Sequence, residues 1–361
     1  MPDIIPLALG AVAIVATALS LVRARVWWVR IWDFPRVQVA LVGAAALAAG
    51  AVDGLWWDGS GAWATLAAAN AAAVAYQGAL VWRYTRLAPR EVQDAGAGGD
   101  SSRRLSLVMS NVLQTNRQAE RLLGVLREAD ADVILCVETD AWWRDRLDAL
   151  TDTHPHAVRC PLSNTYGMLL YSRLPIESPV VDFLLQPDIP SIQARVRLRG
   201  GARVWLNCVH PRPPAPGQSD ESLERDAELL QVGRRVRGTD RPVVVCGDLN
   251  DVAWSRTTRL FQKVSGLLDP RKGRGFFSTF HARFPGFRYP LDHIFHSDNF
   301  RLVRMRRLPY VGSDHFPVSA VLSYEPRAAA AQEAPAADAA DMREARETVA
   351  RGHEAARGPA T

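Results

Sequence analysis

The sequence predicts a layered α/β domain, with sheets inside and helices outside, placed behind three apolar helices. Long Ala/Val/Leu/Trp stretches almost free of charge fill the chain before Arg83. Beyond a Gly/Ala/Asp-rich segment, short β-rich runs alternate with helical ones. Several of those β-rich runs are continuously apolar, the pattern of strands buried on both faces.

The apolar runs are Ile4 to Val22, Val37 to about Trp57, and Trp63 to Trp82, each close to the length that crosses a bilayer. The first lacks a basic region before it and a small-residue cleavage site after it, so it reads as an uncleaved helix rather than a signal peptide. All three are rich in Ala and Gly, which lets helices pack closely in lipid, and Asn70 and Gln77 in the third are placed to hydrogen-bond between helices. Arg23, Arg25, Arg30 and Arg36 surround Trp27, Trp28 and Trp32, an arginine-rich loop with interfacial aromatics. Arg83, Arg86 and Arg90 follow the third run, whereas the loop between the second and third holds only Asp53 and Asp58. With three spans, the positive-inside rule puts the amino terminus outside and the rest of the chain on the cytoplasmic side of the cell (inner) membrane. Residues 1–87 thus read as a multi-pass membrane domain, 88–103 as a flexible linker and 104–325 as a catalytic domain. Residues 326–361 read as a disordered Ala/Glu/Arg-rich tail with little to bury.

Strands are expected at Leu105–Ser110, Val133–Val137, Met168–Tyr171, Ala194–Leu198, Val204–Val209, Pro242–Cys246 and Leu291–His296. Helices are expected at Arg117–Glu128, Ser222–Arg237 and Ser255–Ser265. The 361 residues carry a net charge of +5 and a pI near 9.3, mild for this length and below what a dedicated nucleic-acid binder shows. Cys136, Cys160, Cys208 and Cys246 are too few for a disulfide scaffold, and three of them interrupt apolar runs as small hydrophobes. Their spacing does not suit zinc. Neither a Gly-x-Ser-x-Gly elbow nor a Walker-type glycine loop is present.

The buried strands end alike. Leu-Val-Met-Ser runs into Asn111, Val-Ile-Leu-Cys-Val into Glu138, Trp-Leu-Asn-Cys-Val into His210, and Val-Val-Val-Cys-Gly into Asp248, Leu249 and Asn250; Gly-Ser precedes Asp314-His315. Any one of these is explained by a cap or a turn. Five in one domain point to a crevice that rigid strand ends line together. Glu, Asp and Asn oxygens suit a hard ion such as Mg²⁺ or Mn²⁺. A carboxylate takes a proton from water, an amide orients that water, and histidines stabilise charge on phosphoryl oxygens. This set fits metal-assisted hydrolysis of a phosphate ester better than acyl transfer.

The order Asn111, Glu138, His210, Gly-Asp248-Leu-Asn250, Leu-Asp292-His-Ile-Phe and Ser-Asp314-His315-Phe-Pro-Val resembles the endonuclease/exonuclease/phosphatase superfamily, the group of deoxyribonuclease I and exonuclease III, across residues 104–324. Tyr166-Gly167-Met168 and the turn Tyr171-Ser-Arg-Leu-Pro-Ile176 resemble the family too. The resemblance implies a four-layer αββα sandwich. It implies a metal held by Glu138, with Asn111 and Asp314 beside it. Asp248 would activate the water and Asn250 position it, and His315, oriented by Asp292, would contact the scissile phosphate. His210 would donate to a phosphoryl oxygen, and Tyr166 matches the family's active-site tyrosine. His293 stands where many members have tyrosine, a departure of little consequence.

Arg212, in a Pro-rich loop, and His281, after Ser-Thr-Phe, are weighed as substrate contacts against the reading of solvated loop residues. Trp142-Trp143 reads as the start of a helix, and the Arg301–Arg307 run as a solvated edge strand that also suits anionic lipid. The substrate class stays open between a lipid headgroup, a nucleic acid and another phosphate ester. A catalytically silent membrane sensor is the rival of another class, and the complete set of core residues argues against it.

Overall fold

A computed structural model describes residues 4–52, 61–96 and 100–357. Asp53 and Asp58, the end of the second apolar run, part of the expected linker and the last residues of the tail lie outside the described residues. The chain divides into two compact units, residues 1–88 with 214–222, and residues 89–213 with 223–361.

The first unit is helical: α1 (Ile4–Leu21), a short α2 (Trp27–Arg30), α3 (Arg36–Val52) and α4 (Gly61–Trp82). By length and composition α1 and α4 can each cross a membrane. The segment Trp27–Asp33 and α3 meet at 69° and make a third span only if counted together. The arginine-rich stretch expected as a loop is therefore partly helical. Small residues let these helices approach: an added Cβ at Gly43 would collide with Val74. The expected interhelical bonds exist. Asn70 Nδ2 donates to Gly43 O (3.1 Å), and Gln77 Nε2 donates to Thr17 Oγ1 (2.9 Å) while its Oε1 accepts from Arg36 Nη1 (2.8 Å). Asn70 and Gln77 are fully buried, whereas Ile4, Ile5, Val12, Val15 and Leu41 are exposed. Polar groups face inward and apolar ones outward.

The second unit holds two sheets. One has the order β10-β11-β1-β2-β4-β3, formed by β1 (Arg104–Asn111), β2 (Val133–Val137), β3 (His156–Cys160), β4 (Met168–Ser172), β10 (Phe300–Arg307) and β11 (Val318–Tyr324). The other has the order β5-β6-β7-β8-β9, formed by β5 (Ile176–Asp182), β6 (Ser191–Arg197), β7 (Arg203–Val209), β8 (Val243–Asp248) and β9 (Asp292–His296). Leu107, Leu135 and Leu170 of the first sheet pack with Ile192, Leu206, Val244 and Ile294 of the second in one core, so the sheets lie face to face. The outer face of the first sheet is covered by α5 (Ala119–Ala129) and α6 (Ala141–Leu147), through Leu122, Leu126, Trp143 and Leu147 against Ile134, Cys136 and Leu169. The other outer face is covered by α7 (Leu223–Val236) and α8 (Arg256–Ser265), through Leu229, Leu230, Phe261 and Val264 against Val209, Val245 and Phe295. The result is the four-layer αββα sandwich. Continuous apolar strands follow from this, because β2, β4 and β8 are buried along their whole length.

The expected strands and helices all appear, with ends shifted by a few residues. Strands β3, β5 and β11 have no counterpart in the sequence reading, because they lack a continuous apolar run (β5 has no buried residue). The arginine-rich run is β10, at the edge of its sheet. Cys136, Cys208 and Cys246 are buried and free.

Two expectations of disorder are corrected. In the linker, Val92 is fully buried in the inter-sheet core, Glu91 binds Lys272 (2.7 Å), and Gln93 O accepts from Leu302 N (3.0 Å). The tail forms α9 (Ala339–Arg357), which lies on α7 and α8. Its apolar face is small but sufficient: Ala345 and Val349 are buried, and Gly352 meets Ala227 with no room for a Cβ. Arg256 and Lys263 pair with Glu344 and Asp341.

Candidate active site

The topology explains why the strand-end residues meet. Strands β1 and β2 run parallel, as do β7 and β8, so Asn111, Glu138, His210 and Asp248 follow apolar runs toward the same edge of the sandwich. Strand β9 runs antiparallel to β8 and starts at that edge, with Asp292 directly opposite Asp248. Strand β11 is antiparallel to β1, which brings the preceding Asp314-His315 to the same place. The backbone is strained here: Glu138 and Asn250 hold φ of 60° and 50°, in the left-handed region that non-glycine residues avoid. Gly247 has φ 152°, and a Cβ on it would strike Val209 O, so the strand before Asp248 admits only glycine.

At the centre, His315 lies between two carboxylates. Its Nδ1 is 2.8 Å from Asp292 Oδ2, and its Nε2 is 3.5 Å from Asp248 Oδ2. Asn111 Nδ2 donates to Asp248 Oδ2 (3.0 Å) and Glu138 Oε1 (2.7 Å), joining the two carboxylates. Asn111 Oδ1 accepts from Leu113 N (3.0 Å), so it is the amide nitrogen of this side chain that faces the acids. Asn250 N donates to Asp248 Oδ1 (2.9 Å), and Asn250 Nδ2 donates to Pro211 O (3.0 Å), which leaves its amide oxygen as the acceptor for a water.

Burial and crowding set the charges. Burial pushes the Glu138 carboxyl up to about 7; Asn111 and His315 oppose the rise, and Asp314 and Asp248 add to it. Burial raises Asp248 too, against the pull of His315. For His315 burial disfavours the charged ring, but Asp292 and Asp248 outweigh it and push the imidazole up to about 10. His315 is therefore an imidazolium at neutral pH. Burial takes His210 down to about 4, so it is neutral there. Its Nδ1 is buried without a hydrogen-bond partner among the described residues.

The remaining expected residues are near but less tightly held. Tyr166 packs on His210 (ring centroids 5.4 Å), and burial raises its phenol to about 12. The Arg212 guanidinium lies 5.5 Å from the Tyr166 ring and binds Asp188 at 2.9 Å. Asp314 is half-buried, 3.4 Å from Ser313 Oγ, and acts on Glu138 and His315 through its charge. His281 is not in the central cluster: Phe280 stands next to it, 4.9 Å from its ring and 5.0 Å from that of His315.

Two buried arginines support the site and were missed in the sequence. Arg225, on α7, donates to Asn250 O (2.7 Å) and pairs with Asp226 and Asp251 (2.9 and 3.2 Å). Arg271 pairs with Asp269 (2.7 Å) and contacts His293 Nδ1 (2.6 Å), while His293 Nε2 contacts Asp251 O (2.9 Å). His293, neighbour of Asp292, thus braces the loop after Asp248. The available signal was Arg225-Asp226 and Asp269-Arg271, opposite charges close together on polar or amphipathic segments, which a sequence reading takes for solvated surface.

Two groups offer donors to a metal. Atoms of Asp248, Asp292 and His315 all lie within 4.8 Å of one another. A cation held there through His315 Nε2 would need the neutral ring, whereas Asp292 and Asp248 favour the imidazolium. The oxygens of Glu138, with Asp314 close enough to raise its pKa, fit a hard divalent ion better, since positive charge would relieve the crowding that lifts Glu138.

Comparison with known proteins agrees with this fold. The model of the Endonuclease/Exonuclease/phosphatase family matches residues 109–315. An endonuclease/exonuclease/phosphatase from Beutenbergia cavernae has a similar structure at 19% identity and TM-score 0.51, covering 62% of this chain and 72% of its own. A humanized TDP2 from D. rerio (16% identity, TM-score 0.51) covers 62% of this chain and 100% of its own. The human Nocturnin catalytic domain (15% identity, TM-score 0.50) covers 63% and 96%. No curated protein matches the chain by sequence. With strand-end acids, an imidazolium between two carboxylates and the family match over more than half its length, the chain belongs to the Endonuclease/Exonuclease/phosphatase family, whose members hydrolyse phosphoesters.

Proposed function

We propose that the chain is a membrane-anchored, divalent-metal-dependent phosphoesterase that hydrolyses a phosphate ester by attack of a water activated at Asp248. The observation that carries this reading is the placement of His315 between Asp248 and Asp292, next to the Glu138 carboxylate. Mg²⁺, or Mn²⁺, held by Glu138 with Asp314 and Asn111 beside it, would neutralise charge on the phosphoryl oxygens. Asp248, raised by burial, accepts a proton from the water, and the Asn250 amide oxygen orients that water. The His315 imidazolium, fixed by Asp292, meets charge developing on the phosphate. Neutral His210 still carries one ring N–H to donate to a phosphoryl oxygen. Tyr166 and Arg212 flank the same side, and Arg212 is the substrate contact better supported by its packing.

Helices α1 and α4, with apolar residues outward, support anchorage in the cell membrane. The catalytic unit faces the cytoplasm in this reading, by the arginine asymmetry. A reporter fused after Pro326 that is active only outside would overturn that side. A lipid headgroup is the substrate class this anchorage favours. A second reading, nuclease, is favoured by the likeness to a D. rerio TDP2 solved with a single-strand DNA product (TM-score 0.51). The test is a panel of phospholipids, nucleic acids and phosphosugars offered to the full chain with Mg²⁺, Mn²⁺ or EDTA. Turnover that needs metal is expected, and inactivity across the panel would sink the enzyme reading.

A further inference from the structure

The segment before β9 ends in a turn that the catalytic reading does not use. Arg283, Phe284, Pro285, Gly286 and Phe287 are consecutive exposed residues, with Phe284 58% and Phe287 61% exposed. The turn is firmly held: His281 N donates to Phe287 O (3.1 Å), Phe287 N to Phe284 O (3.0 Å), and the His281 ring lies 4.7 Å from that of Phe284. It sits at the mouth of the site, because Ala282 N donates to Asp314 O (2.6 Å) and Phe280 stacks beside His315.

Around this turn gather guanidiniums without carboxylates. Arg288 and Arg307 both lie over the Phe316 ring, 5.0 and 4.5 Å from its centroid. Arg283 Nε donates to Tyr310 Oη (3.2 Å), and Arg121 lies 5.0 Å from the Tyr310 ring. Where these side chains donate to protein, it is to main-chain carbonyls, Gln118 or Tyr310: Arg283 to Gly312 O, Arg288 to Ala282 O, Arg307 to Ser278 O. None of the four has an ion pair among the described residues. Many other arginines of this unit pair with acids, Arg117, Arg173 and Arg301 among them, so the cluster differs from them in having no ion pair among the described residues.

We propose that the Arg283–Arg288 turn, with Arg121 and Arg307, docks on the headgroup region of an anionic phospholipid bilayer. Phe284 and Phe287 enter the interface, and the guanidiniums around them face lipid phosphates. Exposed aromatics flanked by cations match the boundary between acyl chains and headgroups. A single nucleic-acid strand also stacks on exposed aromatics, but the anchorage proposed from α1 and α4 keeps a bilayer at hand. The proposal deepens the lipid reading: docking would bring the mouth of the site to headgroup phosphates. It rests on anchorage and not on catalysis.

The test uses the full chain in nanodiscs of phosphatidylcholine, with or without phosphatidylglycerol. A single bimane is attached through Phe284→Cys in a Cys160→Ser background, and through Val180→Cys on exposed β5 as the control. Doxyl-labelled lipid is expected to quench the label at 284 about threefold more than the control in anionic discs, with a smaller gap in neutral ones. Arg288→Gln with Arg307→Gln should shrink that gap while leaving circular dichroism unchanged. Equal quenching at both positions overturns the proposal. So does a label at 284 that lipid leaves alone and a single-stranded oligonucleotide shields. A chain that enters neither disc removes the anchorage, and the proposal with it; loss of turnover alone would strike only the catalytic reading.

Discussion

The two units of this chain treat polar side chains in opposite ways. In the helical unit Asn70, Gln77 and Arg36 are buried and hydrogen-bond to side chains or backbone of neighbouring elements, while large apolar residues face out. In the sandwich unit the apolar residues are buried, and ionisable groups gather at one edge with deliberate imbalance: three carboxylates (Glu138, Asp248 and Asp292) around one imidazolium. Satisfied polar groups inside a helical bundle act as structural glue. Crowded, partly compensated charges store electrostatic potential that a cation and a phosphate can use. Arg36 and Arg225 show the contrast in one residue type. Arg36 closes a network within helices, and Arg225 holds the backbone of a residue in the site.

The largest effect expected is on turnover. Asp248→Asn should lower kcat by about 10³-fold or more, while circular dichroism and the melting temperature stay near those of the parent. Near-parental turnover would reduce the site to a structural charge cluster like that of the helices.

Arg225→Gln should destabilise the sandwich unit by about 3 kcal/mol in denaturant unfolding, because it removes the buried cation that pairs with Asp226 and Asp251. A loss below about 1 kcal/mol would class Arg225 with surface pairs.

The pH dependence separates the two kinds of polar burial. Glu138 has a folded pKa raised to about 7, above its unfolded value, so the metal-free protein is favoured below about 5 and loses that contribution as pH rises to about 7. A divalent ion requires ionised Glu138. The rise in melting temperature caused by Mg²⁺ should therefore be larger at pH 8 than at pH 5. A shift independent of pH would remove Glu138 from the metal site. Glu228, on α7, is pushed by burial up to about 8 with Oε1 unpartnered, so Glu228→Gln should raise the melting temperature by an amount that grows from about pH 5 to about pH 8 and is small below about pH 5.

The smallest effect belongs to the helical unit. Gln77→Leu removes bonds to Thr17 and Arg36 and should lower its stability by about 1 kcal/mol in detergent, without altering kcat. A change in kcat would show that the helices do more than anchor.

Much of the catalytic unit was legible because its strands are buried on both faces: an apolar run ending in a polar residue is visible in one dimension. Glu138 and Asp248 were found in that way, and His315 through its Ser-Asp-His-Phe-Pro-Val motif. Arg225, Arg271 and His293 were not, because charged residues on amphipathic segments look alike whether they face solvent or the underside of a site. The linker and tail were misjudged for a related reason. Val92, Ala345 and Val349 are too few apolar residues to signal a packed segment, yet each finds a place on a surface built by distant parts of the chain. What the sequence by itself determined is the set of elements and the acids at their ends, since these follow from local hydrophobic pattern. Only the tertiary structure decided which groups meet: the parallel pairing of β1 with β2 and β7 with β8 brings four strand ends to one edge, and there burial and crowding turn ordinary carboxylates into a site that can hold a cation and activate water.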